Sequence, residues 1–329
     1  MSKFFVVFMF LYFATFSHCF ATDNVVISVG FRLNMGEHRE EVFAKKRLLS
    51  VLYWPVLPAI AFNFGIDFYA PYFHFLSEVN AGFPAIAGDM RDEDYTDERQ
   101  QKITLFSKHT AHLKEDFSIR SSIGIPIKCF SPAIEEKKQF SLTLEPSIGV
   151  YFSHIKWHAR EGYLQYRENI ASPDFKGGAN YDSHFWKPSW PKISYTGDGV
   201  TYIKKTIFPF FQFDVKFLFK KKWIILCGAM FSPFLFSYST DIHFDKKTAY
   251  LDNFILPGFA FEVKSHVEWK IVKHCSIFGS LSYSIHHNKN GKTDVISLLD
   301  GEHKTTFNRG SAGLVSNVAS FLLGSKFYF

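Results

Sequence analysis

The chain has 329 residues and a formal net charge of +6, and its 40 Phe and 15 Tyr bring aromatics to 19% while mean hydropathy stays at −0.03. So many aromatics with so little net hydrophobicity argue against an ordinary soluble domain. They fit a membrane β-barrel, whose lipid-facing positions alternate with polar ones between two aromatic girdles. The mild positive balance favours anionic partners such as lipid headgroups or acidic glycolipid, and no basic block or binding motif supports nucleic acid.

In chain order, Lys3 precedes an apolar run from Phe4 to Phe16 broken only by Thr15, and Cys19-Phe20-Ala21 offers a small residue before Thr22. This predicts an export signal over 1–21, cleaved after Ala21, and a single barrel over 22–329. The run is short for an anchoring helix, and Phe16-Ser17-His18 is a poor lead-in to a lipid-anchored Cys19. Cys129, Cys227 and Cys275 then remain, an odd number without metal-ligand or CxxC spacing, and read as small apolar residues in strands.

Strand signals follow, with few helix signals. The segment Leu49 to Gly65 is uncharged, but it is shorter than the ~20 residues of a membrane helix and holds Pro55 and Pro58. It predicts a strand with a bulge at the prolines. Alternation is plain in Phe211-Phe213-Val215-Phe217 and in Phe259-Phe261-Val263. It is clearest at the end of the chain, where Phe321, Leu323, Ser325, Phe327 and Phe329 share one parity. Many such runs exceed the roughly 5–6 residues of a sandwich strand. The predicted fold is all-β: a ten-stranded antiparallel transmembrane β-barrel of the outer-membrane type. Its strands lie near 25–43, 47–63, 70–83, 102–122, 138–157, 199–217, 222–243, 250–269, 274–288 and 307–329. Connections near 65–70, 218–222 and 270–273 are short and belong inside; those near 84–101, 158–198 and 289–306 are long and belong outside.

Two acidic patches fall at outward ends of this map. Asp92-Glu93-Asp94 lies in the connection after the third strand, and Asp241-Ile242-His243 ends the seventh. Each is an i, i+2 pair, so on an extended backbone both side chains of a pair point the same way. Brought together, two carboxylates would face an Asp–His dyad across a cleft, an arrangement able to activate water. Taken alone, Asp92, Asp94 and Asp97 read equally well as a solvated acidic loop. A Ca²⁺ loop lacks its glycine and bidentate glutamate here. His243 alone reads as a polar rim residue, and His286-His287 as solvent-facing or interfacial.

The stretch Met90-Arg91-Asp92-Glu93-Asp94-Tyr95-Thr96-Asp97 resembles the aspartate-pair loop of the omptins, with Tyr95 where that family carries tryptophan. Ser239-Thr240-Asp241-Ile242-His243-Phe244-Asp245 is similar to the family's Asp–x–His segment. Gly36 to Phe43 resembles its first outer loop, with Glu40 at the position of a glutamate that recognises a basic side chain. Ser107-Lys108-His109 resembles a Ser-Arg-His stretch near the cleft on the fourth strand. The resemblance implies an outer-membrane aspartyl-type endopeptidase acting on peptide or protein substrates, with the active site facing outward. Asp92 and Asp94 would hold and polarise a water, and His243, oriented by Asp241, would take its proton. Glu40, Ser239, Ser107 and His109 are then candidate substrate contacts. The scheme requires neither metal nor cofactor, and it implies an outer-membrane lipid or glycolipid partner of lipopolysaccharide type. One departure stands out: Ser239 occupies the position where the family pattern places a second acidic residue for the basic side chain. A catalytically silent barrel, serving as adhesin or channel, is the competing expectation.

Overall fold

The computed structural model describes residues 24–95, 102–130, 140–165, 185–220 and 222–329. The predicted signal segment 1–21, Asp97 and much of the predicted 158–198 loop lie outside the described residues. Fourteen strands and no helix make up the described chain: β1 Val25–Ala44, β2 Arg47–Tyr69, β3 His74–Gly82, β4 Ala85–Asp94, β5 Leu105–Gly124, β6 Ile127–Phe130 and β7 Phe140–Gln165 form the first half. The second half comprises β8 Ile193–Phe219, β9 Trp223–Ser232, β10 Phe236–His243, β11 Thr248–Phe254, β12 Gly258–Val272, β13 Cys275–Ser297 and β14 His303–Tyr328. All pairings are antiparallel. β1 pairs with β14 from Val26↔Tyr328 to Val42↔Ala312, so first and last strands meet and no long edge faces lipid.

Fourteen segments replace the ten continuous strands laid out from sequence, chiefly because prolines interrupt the ladder. Phe83-Pro84 separates β3 from β4, Pro233 lies between β9 and β10, and Pro257 lies between β11 and β12. A proline has no N–H to donate, so pairing lapses there. The flanking segments keep their neighbours: β3 and β4 both pair with β2 and β5, and β9 and β10 both pair with β8. Asp92 and Asp94 therefore sit on a strand rather than in a connection. The predicted 289–306 loop is also mostly strand, since β13 and β14 continue to a turn at 298–302. β2 runs unbroken through Pro55 and Pro58, with a register shift opposite Asn34 and Gly36, the irregularity the prolines predicted.

The sheet is inside-out relative to a soluble protein. On β8, Ile207, Phe211 and Phe213 face outward while Phe208, Phe210, Gln212 and Asp214 face the lumen. On β14, Phe321, Leu323 and Phe327 are outward and Leu322 is inward. Charged pairs fill the lumen. Arg120 donates two hydrogen bonds of 2.6 Å to Glu262, and His74 sits between Asp67 at 3.0 Å and Glu145 at 2.6 Å. Lys264 reaches Asp214 at 3.2 Å and Lys326 reaches Glu268 at 3.1 Å. What remains open among these groups is two cavities of about 80 and 130 Å³. His286 also points inward, packed edge-on to Phe208 at 5.2 Å, rather than facing solvent as expected.

Above the charged lumen lies an apolar layer. Trp54 stacks on Tyr202 at 5.4 Å, and Trp157, Leu113, Met90 and Ala111 close around them. On β2 the inward side chains step upward by twos from Val56 through Trp54 and Leu52 to Ser50. Val56 lines a lumen cavity, whereas Leu52 and Ser50 line a separate opening at one end of the barrel.

Candidate active site

The opening at this end of the barrel is built by three strand groups whose registers bring distant residues onto one wall. β1 and β2 join through Lys45 and Lys46, both at positive φ (48° and 70°), as a two-residue hairpin turn requires. That turn sets Glu40 opposite Leu52, and β2 in turn sets Leu52 opposite Asp92 and Ser50 opposite Asp94. Ser50 Oγ donates to Asp92 Oδ1 at 2.9 Å. Across the opening, β10 carries Asp241 and His243 on one face. His243 Nε2 lies 2.5 Å from Asp241 Oδ2, and the His243 ring stands edge-on to Tyr250 of β11 at 5.3 Å.

A cavity of about 180 Å³ is lined by Asp92, Asp94, Asp241 and His243 together, with Glu40, Ser50, Lys246, Tyr250 and Asp252 among its other walls. The two acidic patches, 147 residues apart from Asp94 to Asp241 (241 − 94), thus share one opening.

Burial and mutual repulsion set the charge state of this cavity. Burial first, then the Asp94 carboxylate, push Asp92 up to about 7, against the opposing pull of Ser50, His243 and Lys246. Asp94 is raised by burial as well, with Lys246, Ser50 and His243 opposing. For His243, burial favours the neutral ring, but the charge and hydrogen bond of Asp241 outweigh it and the net shift is upward. Glu40 is held well above the carboxylate range by burial and by the charges of Asp241 and Asp252.

The other predicted contacts lie elsewhere. Ser107 is opposite Asp92 in the β4–β5 register, yet neither it nor His109 lines the cavity. His109 Nδ1–H donates to the Glu161 carbonyl at 2.9 Å, and its Nε2 accepts from Ser107 at 3.2 Å. It braces a bulge in β7 where Gly162, at φ 124°, approaches Lys108 so closely that a Cβ would lie 2.0 Å from the Lys108 carbonyl oxygen. Ser107 and His109 are both buried on β5, beside the β4 row that carries Asp92, and neither is among the residues that line the cavity. Ser239 is fully buried beneath the cavity and donates to Asp252 Oδ2 at 3.2 Å.

Sequence reasoning passed over Ser50, Lys246, Tyr250 and Asp252. Lys246 is part of the β10–β11 turn, and β11 was drawn to begin only at residue 250. Closing a hairpin across Phe244–Lys247 would have set 243 against 248, 241 against 250 and 239 against 252, as observed.

Comparison with known proteins agrees with this architecture. The model of the Omptin family matches residues 21–329. Among solved structures, the outer membrane protease OmpT from Escherichia coli aligns with a TM-score of 0.75 at 16% identity, over 94% of this chain and 98% of that one. At that identity the likeness shows a common barrel fold. The translocator domain of the autotransporter NalP from Neisseria meningitidis aligns over 98% of this chain and 95% of its own at 6% identity, with a TM-score of only 0.33. No curated protein sequence matches the chain. With a family match from residue 21 to the final phenylalanine, on a closed antiparallel barrel, the chain belongs to the omptin family.

Proposed function

We propose that the protein is an outer-membrane endopeptidase, exported through its N-terminal segment, whose outward-facing cavity hydrolyses peptide bonds beside basic residues. The observation that carries this reading is the single cavity lined by both the Asp92/Asp94 pair and the Asp241–His243 dyad. Family membership and the fold shared with a solved outer membrane protease support it.

The chemistry follows from the hydrogen bonds. Asp241 accepts the Nε2–H of His243, which leaves Nδ1 with the free lone pair. A water held by Asp92 and Asp94 attacks the peptide carbonyl carbon as its proton passes to Nδ1. The imidazolium so formed is stabilised by Asp241 and returns the proton to the leaving amine, completing cleavage without a covalent intermediate. With Asp92 raised to about 7, the aspartate pair retains a proton near neutrality, which relieves repulsion and lets one carboxyl donate to the carbonyl oxygen. Among the described residues five acids, Glu40, Asp92, Asp94, Asp241 and Asp252, line the cavity against the single lysine Lys246, a balance that favours cationic peptides. The outward belt of Phe and Ile side chains is the surface for outer-membrane lipid or a lipopolysaccharide-like glycolipid.

The test uses protein refolded with lipid or glycolipid and a fluorogenic peptide with a basic cleavage site. Wild type is expected to cleave it, and Asp92→Ala/Asp94→Ala to lose activity by at least about a hundredfold. A wild type that cleaves no such peptide sinks the enzyme reading in favour of a silent barrel. A channel has little support, because ion pairs occupy the described lumen.

A further inference from the structure

Position 239 lacks the acidic residue that the family pattern places there, yet the carboxylate is not missing from the site. Ser239 and Asp252 are direct cross-strand partners in the β10–β11 hairpin. Paired positions put their Cβ atoms about 5 Å apart on one face of the sheet. An acid moved from one to the other therefore stays beside the same opening. Asp252 is 2% exposed and lines the cavity. Its carboxylate is held from both sides: Ser239 Oγ donates to Oδ2 at 3.2 Å and Thr293 Oγ1 donates to Oδ1 at 2.7 Å. The serine at the family's acidic position thus orients the acid on the facing strand.

Glu40 lines the same cavity as Asp252, and the charge of each acts on the other. It is itself only 2% exposed, and its Oε2 meets no donor among the described residues. Two buried carboxylates lining one cavity, one with an orphan oxygen, form a costly arrangement. A guanidinium or ammonium entering between them would satisfy the orphan oxygen and remove the repulsion.

We infer that Asp252 supplies the second carboxylate of the specificity pocket, so that Glu40 and Asp252 together grip the basic side chain of the substrate. This rests on the endopeptidase reading above. It makes the Ser239 departure a relocation of charge across one strand pair rather than a loss of stringency.

The experiment compares two peptides identical except for arginine or its neutral isostere citrulline at the cleavage site, assayed on full-length protein in lipid. Wild type is expected to prefer arginine. Asp252→Asn should shrink that preference, read as the ratio of the arginine to the citrulline rate, about ten- to a hundredfold, the size of one charged hydrogen bond. The exchange variant Ser239→Asp/Asp252→Ser should restore the preference, which a merely structural role for Asp252 would not produce. An undiminished preference in Asp252→Asn, or equal losses on both peptides with no recovery in the exchange variant, would overturn the assignment while leaving the protease reading intact. A wild type that cleaves both peptides equally overturns basic recognition and this assignment together. One that cleaves neither removes the endopeptidase reading itself.

Discussion

The lumen and the end cavity of this barrel are both lined with buried ionisable groups, and they use them oppositely. In the lumen, acids meet bases: Arg120 with Glu262, Lys264 with Asp214, Lys326 with Glu268, and His74 between two carboxylates. In the end cavity five acids share the lining with one lysine, Lys246, and with His243: Asp94 raises Asp92, Asp252 raises Glu40, and both Glu40 Oε2 and Asp241 Oδ1 lack a donor among the described residues. Compensated charge closes a lumen and stiffens a wall. Uncompensated charge holds a surface in readiness for a ligand or a proton, at a cost in stability.

That contrast can be broken at several points. The largest effect is expected from His243→Ala, which should lower kcat/KM by about 10²–10⁴, since the ring is the proton acceptor. Glu262→Ala should do the reverse: strand a buried guanidinium, cost about 3–5 kcal/mol in denaturant unfolding from lipid vesicles, and spare kcat/KM of the folded fraction. If both variants lower kcat/KM alike, the two regions are not distinct in kind.

A pH-dependent stability measurement sharpens the point. Asp92 has a folded pKa of about 7, above its unfolded value, so folding favours its protonated form and the wild type loses stability as pH rises from about 4 to 7. Asp92→Asn should therefore stabilise the protein at pH 8 and have little effect at pH 4. A destabilised variant at pH 8 would contradict the picture of an uncompensated pair. Smaller still is Ser50→Ala, which removes one hydrogen bond to Asp92 and should reduce activity by roughly three- to tenfold. Finally, Asp241 is what raises His243, so Asp241→Asn should move the acid limb of the pH–rate profile downward along with its loss of rate. A limb that stays put would assign that titration to another group.

Much of this architecture was readable from residue order because its signals are local. Alternating Phe and polar residues in β8 and β14 announce a strand with one face in lipid, and period 2 needs no knowledge of the partner strand. The i, i+2 spacing of Asp92 and Asp94, and of Asp241 and His243, already put each pair on one face. Pro55 and Pro58 predicted a bulge that appears opposite Asn34 and Gly36. The breaks at Pro84 and Pro233 were missed, although the same missing N–H causes them, because apolar residues continue on both sides.

What the residues could not reveal in linear form is which side chain faces which across the sheet. That depends on turn length and on every bulge between, and a shift of one residue sends a side chain to the other face. The turn Phe244–Lys247 decides that Asp252, and not a neighbour, stands against Ser239. The Lys45–Lys46 turn decides that Glu40 rises beside the Asp92 row. The strand types, the outward belt and the two acidic pairs belong to the sequence. Their meeting in one cavity, and the place of Asp252 within it, belong to the register of the closed barrel.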